Sequence, residues 1–73
     1  MIDIFEADLY SLELYIIINN NRKTIAIGDD LLYLTKLYEK FIEKYSNTED
    51  HVIIALYDFD KNTNINYYDS ELD

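Results

Sequence analysis

The sequence predicts an α+β fold of order ββαββ: a mostly antiparallel sheet with one amphipathic helix packed on one face. Three observations carry this. Residues 12–18 and 51–59 are runs rich in β-branched residues whose apolar positions alternate with period two. Residues 31–45 instead repeat their apolar positions every three or four residues. Two groups of turn-forming residues, at 19–22 and 60–63, each separate a pair of extended runs. A sheet and a helix that are each apolar on one side bury those sides best against one another, as two layers.

Taken in order, residues 2–9 read as extended. Residues 12–18 form a strand in which Leu12, Leu14, Ile16 and Ile18 alternate with Glu13, Tyr15 and Ile17. The break at Tyr10 and Ser11 is either a bulge in one long strand or a short connection. Asn19, Asn20, Asn21 and Arg22 signal a turn, because asparagine tolerates left-handed backbone better than most residues. Residues 23–27 return as the second strand of a hairpin. Gly28, Asp29 and Asp30 end that strand and start a helix, and either aspartate can cap its first amides. Leu31, Leu34, Leu37, Tyr38, Phe41, Ile42 and Tyr45 make its apolar stripe. Thr35, Lys36, Glu39, Lys40, Glu43 and Lys44 fill the other face with nearly balanced charge. Residues 46–50 are a polar connection. In the strand at 51–59, Val52, Ile54 and Leu56 share one face, and Ile53, Ala55 and Tyr57 the other. A shorter strand at 63–68 places Ile65 and Tyr67 in alternation with Asn64, Asn66 and Tyr68.

The 73 residues contain no proline, one glycine and no cysteine. No linker, repeat or composition shift divides them, so residues 1–73 are expected to form a single domain. With no disulfide or thiolate–metal site to help, stability rests on packing or on a partner subunit. Eight tyrosines and three phenylalanines supply large apolar surfaces for it.

The stretch DFDKNTNINYYD, residues 58–69, admits two readings. Oxygen-bearing side chains fall at Asp58, Asp60, Asn62, Asn64, Asn66 and Asp69. A calcium-binding EF-hand loop places ligands at positions 1, 3, 5, 7, 9 and 12. Against it, position 6 is Thr63 where such loops need glycine, and position 12 is Asp69 rather than the longer glutamate. The flanks weigh most. Residues 51–57 have strand character, whereas an EF-hand loop lies between two helices. The expected structure is a β-hairpin turning at residues 60–63, with Asn62 suited to the left-handed position.

Little else suggests catalysis, and an enzyme is not expected. His51 is the single histidine, and zinc needs further nitrogen or sulfur ligands, so it reads as an exposed loop residue beside Glu49 and Asp50. Asp58 and Asp60 share a strand face next to a turn, where solvent keeps both ionised. Ser11, Ser46 and Ser70 have no base in their sequence context, and one glycine cannot build a phosphate-binding loop. No metal or cofactor is expected.

Charge is the main functional clue. Fifteen acidic residues oppose six basic ones, a formal net charge of −9. Direct nucleic-acid binding needs Lys and Arg at phosphates and is disfavoured, as is adsorption to an anionic membrane. A basic partner surface is favoured and would be reached by electrostatic steering. Residues 29–45 carry four acidic and three basic side chains, so −8 of the −9 belongs to the rest of the chain. Near the start, Asp3, Glu6 and Asp8 stand where a secretory signal would be basic, so the cytoplasm of a bacterial host is the expected location.

In size, charge and mixed α/β character, the chain resembles the compact acidic phage proteins that imitate DNA. Among these are anti-CRISPR proteins and inhibitors of uracil-DNA glycosylase. The resemblance is one of general character over the whole length, and no family motif is matched. It implies a stoichiometric inhibitor docking on a Lys/Arg-rich cleft of a CRISPR effector or a DNA-repair enzyme. The residues expected to meet such a partner are Asp58, Asp60, Asp69 and Glu71, with Glu6, Asp8 and Glu13 as a second cluster. Tyr67 and Tyr68 are the candidate aromatic contacts. Two alternatives remain: an antitoxin or immunity protein neutralising a basic toxin, and a homodimer or larger homo-oligomer joined through Ile17, Ile53 and the tyrosines.

Overall fold

A computed structural model describes residues 11–72. The fold is the α+β arrangement ββαββ. Its elements are β1 (Leu12–Ile18), β2 (Asn21–Gly28), α1 (Leu31–Tyr45), β3 (Val52–Asp58) and β4 (Thr63–Asp69). The strands form one antiparallel sheet in the order β2-β1-β3-β4, so the two hairpins adjoin through β1 and β3. The extended segment expected at residues 2–9 lies outside the described residues.

Period-two patterning places the core as expected. Leu12, Leu14 and Ile16 of β1 and Val52, Ile54 and Leu56 of β3 are buried together with Leu34 of the helix. Leu37, Tyr38, Phe41, Ile42 and Tyr45 pack around them. Asp30, rather than Asp29, caps the helix: its side chain accepts the Tyr33 amide at 3.0 Å. The first turn departs from the expected stripe. Leu31 is 51% exposed, whereas Leu34 is only 1% exposed. Period alone cannot tell how much of the first turn finds a partner in the sheet.

Both turns form where asparagine invites them. Asn19 and Asn20 have φ of 49° and 73°, and Ile18 pairs with Asn21. Two consecutive positive φ values in a two-residue loop are the type I′ geometry that follows the twist of a hairpin. β2 therefore starts at Asn21, two residues earlier than its sequence suggests. The β3–β4 connection occupies residues 59–62, and Asn62 has φ of 53°. Thr63 belongs to β4 and pairs with Asp58.

Each edge strand carries one bulge. β2 skips Ile25 between the pairs Leu14↔Ala26 and Tyr15↔Thr24. β4 skips Ile65 between Leu56↔Asn66 and Tyr57↔Asn64. The second bulge settles the reading of DFDKNTNINYYD as a hairpin. Asn64 lies opposite Tyr57 and Asn66 opposite Leu56, so the two amides stand on opposite faces of the sheet. Asp69 ends β4, about 20 Å along the strand from Thr63. These oxygens are strung along a strand and do not circle a common point.

Candidate functional site

The face of the sheet away from α1 is built in three cross-strand rows. From β2 to β4 they are Ile27–Glu13–Tyr57–Asn64, Thr24–Tyr15–Ala55–Tyr67 and Arg22–Ile17–Ile53–Asp69. Side chains directly opposite on neighbouring strands touch, so each row acts as a packing unit. Ala55 is the smallest member and is fully buried. Its methyl leaves room for Tyr15, whose hydroxyl donates at 3.2 Å to Asn64 Oδ1 on β4. Arg22 stacks its guanidinium over the Tyr15 ring at 4.3 Å.

Glu13 stands in this face but offers no free charge. It is 7% exposed, accepts from Arg22 at 2.9 Å and also accepts the Thr24 hydroxyl. Both carboxylate oxygens are thus held by β2. The expectation that Glu13 belongs to an acidic partner-binding cluster is corrected: it is buried, and the Arg22 and Thr24 side chains of β2 take both its oxygens. Glu6 and Asp8, its expected neighbours, lie outside the described residues.

The first cluster also divides. Asp58 and Asp60 stand at one end of the β3–β4 hairpin, and Asp69 and Glu71 at the other. Asp58 opposes Thr63 while Asp69 opposes Ile53, so strand rise sets the two ends about 16 Å apart. The same local device recurs at each end. Asp58 Oδ1 accepts the amides of Asp60 (2.9 Å) and Lys61 (3.3 Å). Asp69 Oδ1 accepts the amide of Glu71 at 3.0 Å. Each aspartate shapes the turn that follows it, which is a common use of this side chain. Asp60 and Glu71 remain exposed.

His51 is more constrained than its sequence suggests. Its Nε2 lies 2.8 Å from Asp69 Oδ1, and its Nδ1 lies 3.9 Å from Glu71. The Asp69 side chain is only 14% exposed. The Glu71 amide, foremost, and the imidazole hold its carboxyl below the ordinary 3.8, against an opposing effect of burial. Ser70 accepts the Val52 amide at 2.9 Å and donates to the Asp50 carbonyl at 3.5 Å. Asn19 reaches across as well, donating to Asp50 at 3.1 Å and accepting the His51 amide at 3.2 Å. These bonds fasten the first turn, the start of β3 and the end of β4 into one acidic corner that also contains Glu49. Sequence reasoning missed this corner because its members lie at residues 19, 49–51 and 69–71. The β1–β3 pairing brings Asn19 to residues 49–51, and the β3–β4 pairing brings residues 69–71 to them.

The two tyrosines separate. Tyr67 is 50% exposed in the middle row of the face away from α1. Tyr68 opposes Ile54, on the other face, and packs against the core. Among the described residues, no group of three His, Cys, Asp or Glu side chains is placed to hold a metal ion. No helix among them is long and apolar enough to cross a membrane. No protein-family model, curated protein or solved structure matches the chain.

Proposed function

We propose that this chain is a small acidic inhibitor that docks on a basic surface of a bacterial protein and occupies the place of a nucleic acid there. The observation that carries the reading is the asymmetry of charge. The helix carries Lys36, Lys40 and Lys44 against Glu39 and Glu43, a net +1, so −10 of charge falls outside it. Among the described residues, carboxylates collect at the two ends of the sheet: Asp58 and Asp60 at one, and Glu49, Asp50, Asp69 and Glu71 at the other. Separated acidic groups on a rigid frame suit a partner that normally grips successive phosphates with Lys and Arg. The corner around His51 adds rigidity, so its charges need little ordering on contact. Tyr67 supplies an exposed aromatic beside them. A phage origin and action inside the bacterial cytoplasm belong to the same proposal.

A pull-down tests it. The protein is immobilised, bacterial lysate is passed over it, and bound proteins are eluted with duplex DNA. Release of a nuclease or repair enzyme by DNA supports occupation of a nucleic-acid site. Retention of a partner that DNA does not displace overturns it in favour of ordinary protein–protein recognition, as in an immunity protein.

A further inference from the structure

Among the described residues, α1 covers one face of the sheet and no second layer of structure covers the other. The row Arg22–Ile17–Ile53–Asp69 crosses that other face from margin to margin. It is positive at one end, aliphatic in the middle and negative at the far end. Reversed, it is its own complement. Ile17 and Ile53 lie side by side and are only partly buried. The Arg22 side chain is half exposed. In the other two rows, Tyr67 and Ile27 are half exposed as well. Both charged ends keep bonding capacity. Arg22 directs one nitrogen to Glu13 and stacks on Tyr15, and a guanidinium has five donors in a planar fork. The bonds of Asp69 to His51 and to the Glu71 amide both fall on Oδ1, which leaves Oδ2 to accept another among the described residues.

A two-fold axis along the strands, midway between β1 and β3, turns each row end for end and lays β2 of one copy over β4 of the other. Arg22 then faces Asp69 of the second copy at both margins, Ile17 faces Ile53, and Thr24 faces Tyr67. Two-fold contacts of this kind make every match twice. Stacked sheets cross at about 30°, which shifts facing positions on the outer strands by about 4 Å, within reach of an arginine. A two-fold axis across the strands instead sets Arg22 on Ile27 and Asp69 on Asn64, and pairs no charges.

We infer that the sheet face away from α1 binds a second copy of this chain, face to face, in a two-fold dimer centred on Ile17 and Ile53 and closed at both margins by Arg22–Asp69 pairs. Charge complementarity selects this occupant, because the order positive, apolar, negative along the row is met by the same row reversed. Stacking on Tyr15 and the bond to His51 already fix the two charges, so little ordering is needed on contact. The dimer does not depend on the function proposed above. It uses Tyr67 and Asp69, so a second copy and a basic partner compete for them.

The test is sedimentation equilibrium of the full chain from micromolar to millimolar concentration, with isotope-filtered NMR on a half-labelled sample. Each copy carries −9, so physiological ionic strength is used, where charges are screened over about 8 Å. A reversible dimer is expected, with filtered cross-peaks between the Thr24 methyl and the Tyr67 ring. Those residues stand three strands apart in one chain, about 14 Å, too far for such a peak to arise within a copy. Charge exchange probes the margins. Arg22→Glu alone and Asp69→Arg alone set like charges against each other twice, and each is expected to dimerise about tenfold more weakly or worse. Their mixture restores both pairs and is expected to form a heterodimer. Where circular dichroism shows either variant unfolded, the chain with Ile27→Glu and Asn64→Glu and the chain with Ile27→Lys and Asn64→Lys repeat the exchange at exposed positions of the first row. A monomer at every concentration overturns the proposal. So do filtered peaks confined to the helix or to one strand edge, or folded variants that self-associate like the parent. Cross-peaks from Tyr67 to residues 1–10 in a monomer also overturn it and give the face to the chain's own start.

Discussion

Arg22 on the edge strand places a guanidinium nitrogen 2.9 Å from Oε1 of Glu13, a carboxylate that is otherwise shut away from solvent. Among the described residues, removing the arginine leaves Glu13 with the Thr24 hydroxyl as its side-chain partner. Arg22→Ala is expected to cost about 2 kcal/mol, the scale of a hydrogen bond to a charged group. Lys23→Ala, one residue along but exposed and without an ion pair among the described residues, is expected to stay within about 0.5 kcal/mol of the parent. Urea denaturation of the two variants checks the contrast, and equal losses would refute it.

The two asparagines of the first turn should respond differently to glycine. Both hold positive φ, which glycine adopts freely. Asn20→Gly keeps that geometry and is expected to be neutral or slightly stabilising. Asn19→Gly loses the bonds to Asp50 and to the His51 amide and is expected to cost about 1 kcal/mol. Thermal melts at one pH rank them.

Helix leucines one turn apart make a third comparison. Leu34→Ala opens space in the centre of the core and is expected to cost about 3 kcal/mol, a large share of the stability of so small a domain. Leu31→Ala leaves the core untouched and is expected to change stability by less than about 0.5 kcal/mol. Similar losses for both would mean that the helix buries its first turn.

Asp69 predicts an acid limb. Its folded-state pKa lies below the ordinary 3.8, so the carboxylate contributes stability that is fully present above that value. The contribution is lost as pH falls from 3.8 through the lower folded value. Asp69→Asn should therefore be less stable than the parent at neutral pH, and the two curves should converge in acid. Curves that run parallel down to the most acidic conditions would remove Asp69 from that role.

Charge reversal separates docking from folding. Asp60→Lys and Glu71→Lys alter exposed side chains and should leave the melting temperature nearly unchanged. Each should slow association with a basic partner and flatten its salt dependence. Asp58→Lys and Asp69→Lys also remove turn bonds, so they should lower stability as well. An association rate indifferent to both Asp60 and Glu71 would sink the docking role of the acidic ends.

Much of this architecture could be read from the chain. Alternation in residues 12–18 and 52–58 identified the core, because a half-buried strand must alternate. Asn19, Asn20 and Asn62 announced their turns, because few residues accept positive φ. The site was far less legible. A carboxylate looks the same in sequence whether it meets solvent, like Asp60, caps a turn, like Asp58, or is folded inward by an arginine nine residues away, like Glu13. Tyr67 and Tyr68 differ only in which way the strand turns them. The partnership of His51 with Asp69 depends on β3 and β4 being aligned end to end, a matter of register that no local pattern records.

The bulges at Ile25 and Ile65 put each outer strand one residue out of phase with its neighbour. Parity is what a single insertion or deletion normally destroys in a sheet, since it sends every later side chain through to the wrong side. Here the extra residue already absorbs that slip. Ala26 and Asn66 keep their partners whether or not the isoleucine before them exists. The frame at the two margins is therefore open to change in length by one residue, whereas β1 and β3, paired on both sides without a skipped position, are not.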